Sequence, residues 1–156
     1  MNVLQPLNLP PYPFKITERD GSYFMFDEIR KKEILVTPEE WVRQHFIRFL
    51  IGHKGYPKSL IKVEGGLKLH GMQRRSDILL HNNNGQKIGL VECKAPGVPI
   101  DQKVFEQAAN YNMVHKVQLL VVTNGLTTYQ AQINFEEKNY KFLEELPAYN
   151  SGLGNR

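Results

Sequence analysis

Two apolar segments joined by a very short polar link constrain this chain more than anything else in it. RSDILLH (75–81) runs into Asn-Asn-Asn-Gly, and QKIGLVECKA (86–95) follows at once. A five-residue link, His81 to Gly85, is of hairpin length, and Asn and Gly accept the left-handed backbone that a tight turn needs. The two segments are therefore expected to be antiparallel neighbours in a sheet. Strand alternation places Glu92 and Lys94 on one face, about 6–7 Å apart along the strand, with Val91, Cys93 and Ala95 on the other. Asp77 stands among apolar neighbours on the first strand, and Arg75 shares its face. Near the start of that strand, Asp77 would meet Glu92 and Lys94 near the end of the next.

Two acids and an amine at one end of an otherwise apolar sheet are expensive to bury unless they pair or hold a metal. Hard oxygen ligands favour Mg²⁺ or Mn²⁺ over zinc. The five histidines show no ligand spacing, and the lone cysteine, Cys93, allows neither an internal disulfide nor a Cys-rich zinc site. A divalent cation here would relieve carboxylate repulsion, lower the pKa of a bound water and offset charge on a scissile phosphate. Lys94 could orient that water, help deprotonate it or stabilise the developing charge. The plainer reading is a solvated same-face ion pair with Asp77 as a turn-adjacent cap, and for an isolated Glu-x-Lys triplet it is the commoner one. Context favours the metal site: the triplet ends a strand, an acid-bearing strand precedes it at hairpin spacing, and a helix follows.

The rest of the chain supplies the frame. Asp20-Gly21 lies between two β-prone stretches, a hairpin signal, and residues 31–36 extend it by a further strand. TPEEWVRQHFIRFLIG is the clearest helix, with Thr37 as N-cap, Pro38 at the first helical position and Glu40 completing a capping box. Trp41, Val42, Phe46, Phe49 and Leu50 form its apolar stripe, Trp41 reading as core and not as a base-stacking platform, and Gly52 is expected to end it. SLIKVEGGLKLHG reads as a strand bent at Gly65-Gly66, and 101–115 as a helix with Val104, Ala108, Tyr111 and His115 recurring. VQLLVVTNG reads as a strand buried on both faces, TTYQAQINF as another strand, and EEKNYKFLEEL as a short closing helix. The order predicts a mixed α+β fold, a mixed central sheet flanked by helices with an extra N-terminal hairpin.

With 156 residues, 41% hydrophobic, the chain suits one domain. Residues 14–147 would form it, with 1–13 as an arm, laid over the domain or disordered, and 148–156 as a flexible tail. The net charge of +4 permits a polyanionic partner without demanding one. No apolar run approaches bilayer length, and the N-terminus lacks the charged start and apolar stretch of a secretory signal, so a cytoplasmic address is expected.

Five motifs in order, PEEWVRQHFIRFL, RRSDILL, LVECKAP, QAANY and VTNG, resemble the N-terminal nuclease domain of type I restriction enzyme R subunits, within the PD-(D/E)xK nuclease superfamily. The likeness spans roughly residues 25–125. It implies a restriction-endonuclease-like core and a metal-dependent phosphodiesterase that cuts a DNA backbone with Mg²⁺ or Mn²⁺. Carried over by position, Asp77 and Glu92 would be metal ligands, the Cys93 backbone carbonyl a third, and Lys94 the catalytic lysine. Glu40 would match the acid on the first helix that reaches the metal, although its capping role explains it equally well. Gln107 and Tyr111 resemble a Gln-x-x-x-Tyr motif that lies beside such sites; their spacing also fits a helix packing Tyr111 into the core. Arg74 and Arg75 are candidates for phosphate contact. The implied partners are DNA, motor or specificity subunits of a restriction system, and a second copy for duplex cutting. R subunits carry an ATP-driven motor behind this domain. These residues hold no phosphate-binding loop, so the chain reads as a free-standing relative or a fragment that does not itself translocate DNA. The rival reading is a catalytically silent module on the same fold that holds nucleic acid or a partner.

Overall fold

The computed structural model describes residues 3–64, 68–69, 72–73, 77–111 and 116–149; at 64, 68–69, 72–73, 77 and 111 it describes the backbone alone. The chain opens with a three-stranded antiparallel sheet of β1 (Thr17–Arg19), β2 (Ser22–Asp27) and β3 (Lys32–Leu35). Asp20 and Gly21 turn β1 into β2 with φ of 52° and 79°, the left-handed pair that makes Asp-Gly the natural choice. Met25, Ile34 and Val36 form the buried side of this sheet, against Phe14, Ile16 and Trp41.

Helix α1 (Pro38–Lys54) begins as its sequence dictates: Thr37 Oγ1 accepts the Glu40 N–H at 3.0 Å and Pro38 occupies the first turn. Only half of the capping box forms, because the Glu40 carboxylate turns to Arg30, Arg43 and Gln44. Gly52 does not end the helix. Gly55 does, at φ 72°, and the Tyr56 N–H returns to the Leu50 carbonyl at 3.0 Å. A mid-helix glycine costs only about 1 kcal/mol, whereas a left-handed closing residue calls for one.

After a 3-10 turn (Lys58–Leu60) come β4 (Ile61–Glu64), a short pair β5 (Lys68–Leu69) and β6 (Met72–Gln73), β7 (Asp77–His81) and β8 (Lys87–Cys93). Helix α2 (Gln102–Tyr111), β9 (Leu119–Thr123), β10 (Thr128–Asn134) and β11 (Asn139–Phe142) complete the described elements. Six strands form one mixed sheet in the order β11-β10-β9-β8-β7-β4. β8 and β9 run parallel, with α2 in their crossover, and the other neighbours are antiparallel. Val42, Phe46 and Leu50 of α1 pack on one face, against Ile61, Ile78, Leu80, Val91, Cys93 and Val121. Phe105, Ala108 and Ala109 of α2 pack on the other, against Leu79, Leu90, Leu120 and Val122. β9 is buried along its whole length, as its unbroken apolar run requires.

Three further expectations meet a different or partial outcome. The buried edge of α2 is Phe105–Ala108–Ala109, with Val104 only partly covered; residues 112–115 and Gly65-Gly66 lie outside the described residues. The expected closing helix is strand β11 instead, paired with β10 through Ile133↔Tyr140 and Ala131↔Phe142. Asn134 Oδ1 accepts the Glu137 N–H at 3.1 Å, Lys138 takes φ 56°, and the chain reverses. Tyr140 and Phe142 then alternate onto the Phe105 face, with ring centroids 5.3 and 5.1 Å from it. That aromatic packing outweighs the helix preference of the neighbouring Glu and Lys.

The N-terminal arm lies along α1. Trp41 Nε1 donates to the Gln5 carbonyl at 2.8 Å, Asn8 N–H to the Gly125 carbonyl at 2.7 Å, and Leu7 and Leu9 join the α1-side core. At the other end Tyr149 donates its N–H to the Lys54 carbonyl at 2.8 Å; 150–156 lie outside the described residues. Among the described residues no helix is long and apolar enough to cross a membrane.

Candidate active site

The β7–β8 hairpin brings the acids together. Asn82 Oδ1 accepts the N–H groups of Asn84 at 2.9 Å and Gln86 at 3.0 Å, and Gly85 takes φ 77°, so the polar link folds on its own side chain. The register then runs Leu79↔Leu90, Ile78↔Val91, Asp77↔Glu92. Opposed positions of an antiparallel pair share a face, so Asp77 and Glu92 occupy one row at the end of the sheet. Glu64, the last residue of β4, is Asp77's partner on the other side and extends that row. None of the sequence motifs pointed to Glu64; the available signal is a lone acid closing the strand IKVE.

Glu92 and Lys94 lie on the α2 face, with Val91 and Cys93 turned into the α1-side core. Lys94 Nζ sits 3.2 Å from Glu92 Oε2, and the two residues are only 8% and 7% exposed. A solvated surface pair would be worth little. This one is buried, so each charge depends on the other to offset its lost hydration. The Lys94 N–H donates to the Thr123 carbonyl of β9 at 2.8 Å, which holds the residue in line past the end of β8. In a planar trans peptide the Cys93 carbonyl points opposite to that N–H, away from β9 and toward the β7 side, where Asp77 begins.

The loop behind Lys94 is closed by a residue whose role the sequence did not disclose. Asn124 Nδ2 donates to the Val98 carbonyl at 2.8 Å, while its Oδ1 accepts the N–H groups of Leu126 and Thr127 at 2.9 and 2.8 Å. The Asn-Gly after β9 therefore fastens the 95–98 segment to the β9–β10 turn.

Glu40 belongs to the helix on the opposite face. Its Oε1 accepts from Arg43 Nη1 at 2.8 Å, and its Oε2 from Arg30 Nη2 at 2.6 Å and Gln44 Nε2 at 3.0 Å. Arg30 is also paired with the fully buried Asp27. Glu40 thus joins α1 to the turn between β2 and β3, and its hydrogen bonds do not run to Glu92 or Lys94. Gln107 is exposed on α2 with no described hydrogen bond to either residue, and Tyr111 is the last residue of that helix. Arg74 and Arg75 lie outside the described residues. Among the described residues, which exclude the side chains of Glu64 and Asp77, no three His, Cys, Asp or Glu groups cluster. A hollow of about 260 Å³ between α2 and the β10–β11 hairpin, bordered by Glu106, Lys138 and Tyr140, contains none of the candidate residues.

The family model described as Type I restriction enzyme R protein N terminus matches residues 38–147. The chain belongs to that family. The matched span starts with α1 and takes in the six-stranded sheet, α2 and the Asp77–Glu92–Lys94 end, leaving β1–β3 outside it. Among solved structures, the chain is similar to the fragment structure of a protein assigned as an HsdR subunit of a type I restriction enzyme from Vibrio vulnificus YJ016. The two are 24% identical with a TM-score of 0.36, and the match covers 56% of this chain and 16% of that one. No curated protein matches.

Proposed function

We propose that this R-protein N-terminal domain is the DNA-cutting part of a restriction system, a divalent-metal phosphodiesterase whose site is Asp77, Glu92 and Lys94. The observation that carries this reading is the buried Glu92–Lys94 pair set in register with Asp77. Carboxylates and the Cys93 carbonyl are hard oxygen donors, suited to Mg²⁺ or Mn²⁺. When bound, the cation would supply charge neutralisation and a more acidic water. Glu92 keeps Lys94 aimed. Lys94 then holds the attacking water or donates to a phosphoryl oxygen as charge develops there, in a setting where burial strengthens each interaction. The bonds of Glu40 to two arginines and Gln44 support a holding role for it in place of a ligand role. DNA is the proposed substrate, motor or specificity subunits the proposed partners, and a second copy the proposed route to duplex cutting. Gln107 and Tyr111 beside the site, and Arg74 and Arg75 at the phosphates, complete the assignment.

Nicking of supercoiled plasmid by the purified chain, in Mg²⁺ or Mn²⁺ against EDTA, tests the reading. Wild type is expected to nick only with metal, and Lys94→Ala or Asp77→Ala to lose about 100-fold or more. Cleavage by both variants at the wild-type rate would remove the assignment.

A second reading has one observation in its favour: Lys94 already neutralises Glu92, so the pair is complete without a cation. The domain would then hold nucleic acid or a partner without turnover. Calorimetric Mn²⁺ binding by a wild type that never nicks DNA would favour it.

A further inference from the structure

Lys94 lies one residue past the end of β8, where strand pairing alone no longer fixes the chain. β8 and β9 run parallel, so their ends, Cys93 and Thr123, stand side by side, and the Lys94 N–H donates to the Thr123 carbonyl at 2.8 Å. The chain then turns through 95–98, with the Val98 N–H on the Ala95 carbonyl at 3.0 Å. The far side of this turn is tied by Asn124, the residue after Thr123, which is 5% exposed. Its Nδ2 donates to the Val98 carbonyl at 2.8 Å, and its Oδ1 accepts the N–H groups of Leu126 and Thr127 at 2.9 and 2.8 Å. The two halves of the amide thus have separate tasks. Turning β9 into β10 needs only the oxygen, which Asp or Ser would supply as well. The nitrogen is directed to the segment behind Lys94. The anchor is itself held: Thr123 Oγ1 accepts the Gly125 N–H at 3.0 Å, and Asn8 of the arm donates to the Gly125 and Leu126 carbonyls at 2.7 and 2.9 Å.

We propose, resting on the metal-site reading above, that Asn124 is a positioning residue for Lys94. Its side-chain amide holds the 95–98 turn against the end of β9 and so keeps the Lys94 ammonium aimed at Glu92 and at the reacting phosphate. Two successive residues grip the chain, Thr123 at the Lys94 N–H and Asn124 at the Val98 carbonyl. With the second tie released, the backbone at Lys94 can pivot about the first. The flexible four-carbon stem of lysine turns a small pivot at the backbone into a larger displacement at Nζ. Asn suits the task because one short planar group carries both a donor and an acceptor. Asp lacks the donor, and the Ser hydroxyl is too short to span to Val98.

The test uses Asn124→Asp and Asn124→Ser in the full chain, below their unfolding temperatures, with three readouts. These are amide hydrogen exchange, the single-turnover rate of plasmid nicking at saturating Mg²⁺, and Mn²⁺ affinity by calorimetry. Asn124→Asp keeps the oxygen that Leu126 and Thr127 need and removes the donor to Val98. Exchange is therefore expected to quicken at Lys94 and Val98 while Leu126 and Thr127 stay protected. The nicking rate falls about tenfold, less than the loss expected when Lys94 itself is removed. Mn²⁺ affinity stays within about twofold of wild type, because the ligands precede Lys94 and only the chemical step is affected. Asn124→Ser carries no added charge and must also slow nicking and quicken exchange at Lys94 and Val98; it decides the matter if Asn124→Asp does not fold. A merely structural role would lower the unfolding temperature with the rate and the exchange at 94 and 98 unchanged, and that result overturns the proposal. A fall in Mn²⁺ affinity as large as the fall in rate also overturns it, since Asn124 would then act on the ligands and not on Lys94. A wild type that neither binds metal nor nicks removes the metal-site reading itself; unchanged exchange at Lys94 and Val98 in both variants removes the clamp independently of that reading.

Discussion

At the scale of single residues, the burial of Glu92 and Lys94 fixes what a substitution does there. Removing one member takes from the other buried charge the opposite charge it faces, which costs about 3–5 kcal/mol. Lys94→Met is therefore expected to lower the urea midpoint sharply, and Glu92→Gln combined with Lys94→Met to recover much of the loss. Urea unfolding of wild type, both single variants and the double variant measures the coupling; a Lys94→Met protein as stable as wild type would show that the pair does not depend on itself. That Glu92 and Lys94 share a face was legible, because period-two alternation needs nothing beyond the strand. That they are buried was not, since burial depends on β7, β9 and the helix layers closing around them. Glu40 was read as a cap or, through the resemblance, as an acid reaching the metal, and its bonds to Arg30, Arg43 and Gln44 were in neither reading. Its choice of Arg30 over the capping bond is made between elements ten residues apart, and no local pattern encodes it.

At the scale of elements, turns decided where the sequence was easy to read. Asp20-Gly21, Asn82–Gly85 and Thr37-Pro38 each hold a local hydrogen-bond or φ requirement in adjacent residues, and each formed as expected. The segment 135–146 holds mixed signals, and its strand appears because Phe105 and β10 are there to pack against. Two predictions belong here. Thr37→Ala should lower stability by about 1 kcal/mol through the lost bond to the Glu40 N–H, read by thermal melting, and an unchanged melt would mean that a water or neighbour replaces the cap. Gly125→Ala should do more damage. The residue sits at φ 84°, and a Cβ there would come within 2.9 Å of Leu7 Cδ2 and 3.1 Å of Val42 Cγ2. Backbone strain and the displaced arm together should lower stability by about 1–3 kcal/mol. Faster proteolysis ahead of Phe14 would accompany the loss, whereas an alanine variant with wild-type melting and proteolysis would mean that the arm does not depend on this close approach.

At the scale of the whole molecule, the arm, the N-terminal sheet and α1 form one layer over the rear of the six-stranded sheet, and His45 lies inside it. Its ring is 6% exposed, edge-on to Trp41 at 4.3 Å and to Phe14 at 4.9 Å, with Nδ1 2.9 Å from the Trp41 carbonyl. Burial lowers the His45 pKa below its usual 6.5, and the bond to the Trp41 carbonyl only partly opposes this. The unfolded chain therefore takes up a proton at this position before the folded chain does. The stability that His45 contributes as a neutral ring is fully present above pH 6.5, and is lost as the pH falls below that value toward the depressed folded pKa. The urea midpoint of wild type should thus stay level above pH 6.5 and decline below it. His45→Leu keeps an apolar group against Trp41 and Phe14 but has nothing to protonate, so its decline should be shallower down to roughly pH 5.5, before the carboxylate ion pairs begin to titrate. Equal slopes in the two proteins over that window would assign the acid sensitivity to other groups and leave His45 as packing alone. The expected difference would mean instead that the layer joining the arm to the back of the site loosens first as acidity rises, because its buried imidazole, His45, is packed between the rings of Trp41 and Phe14.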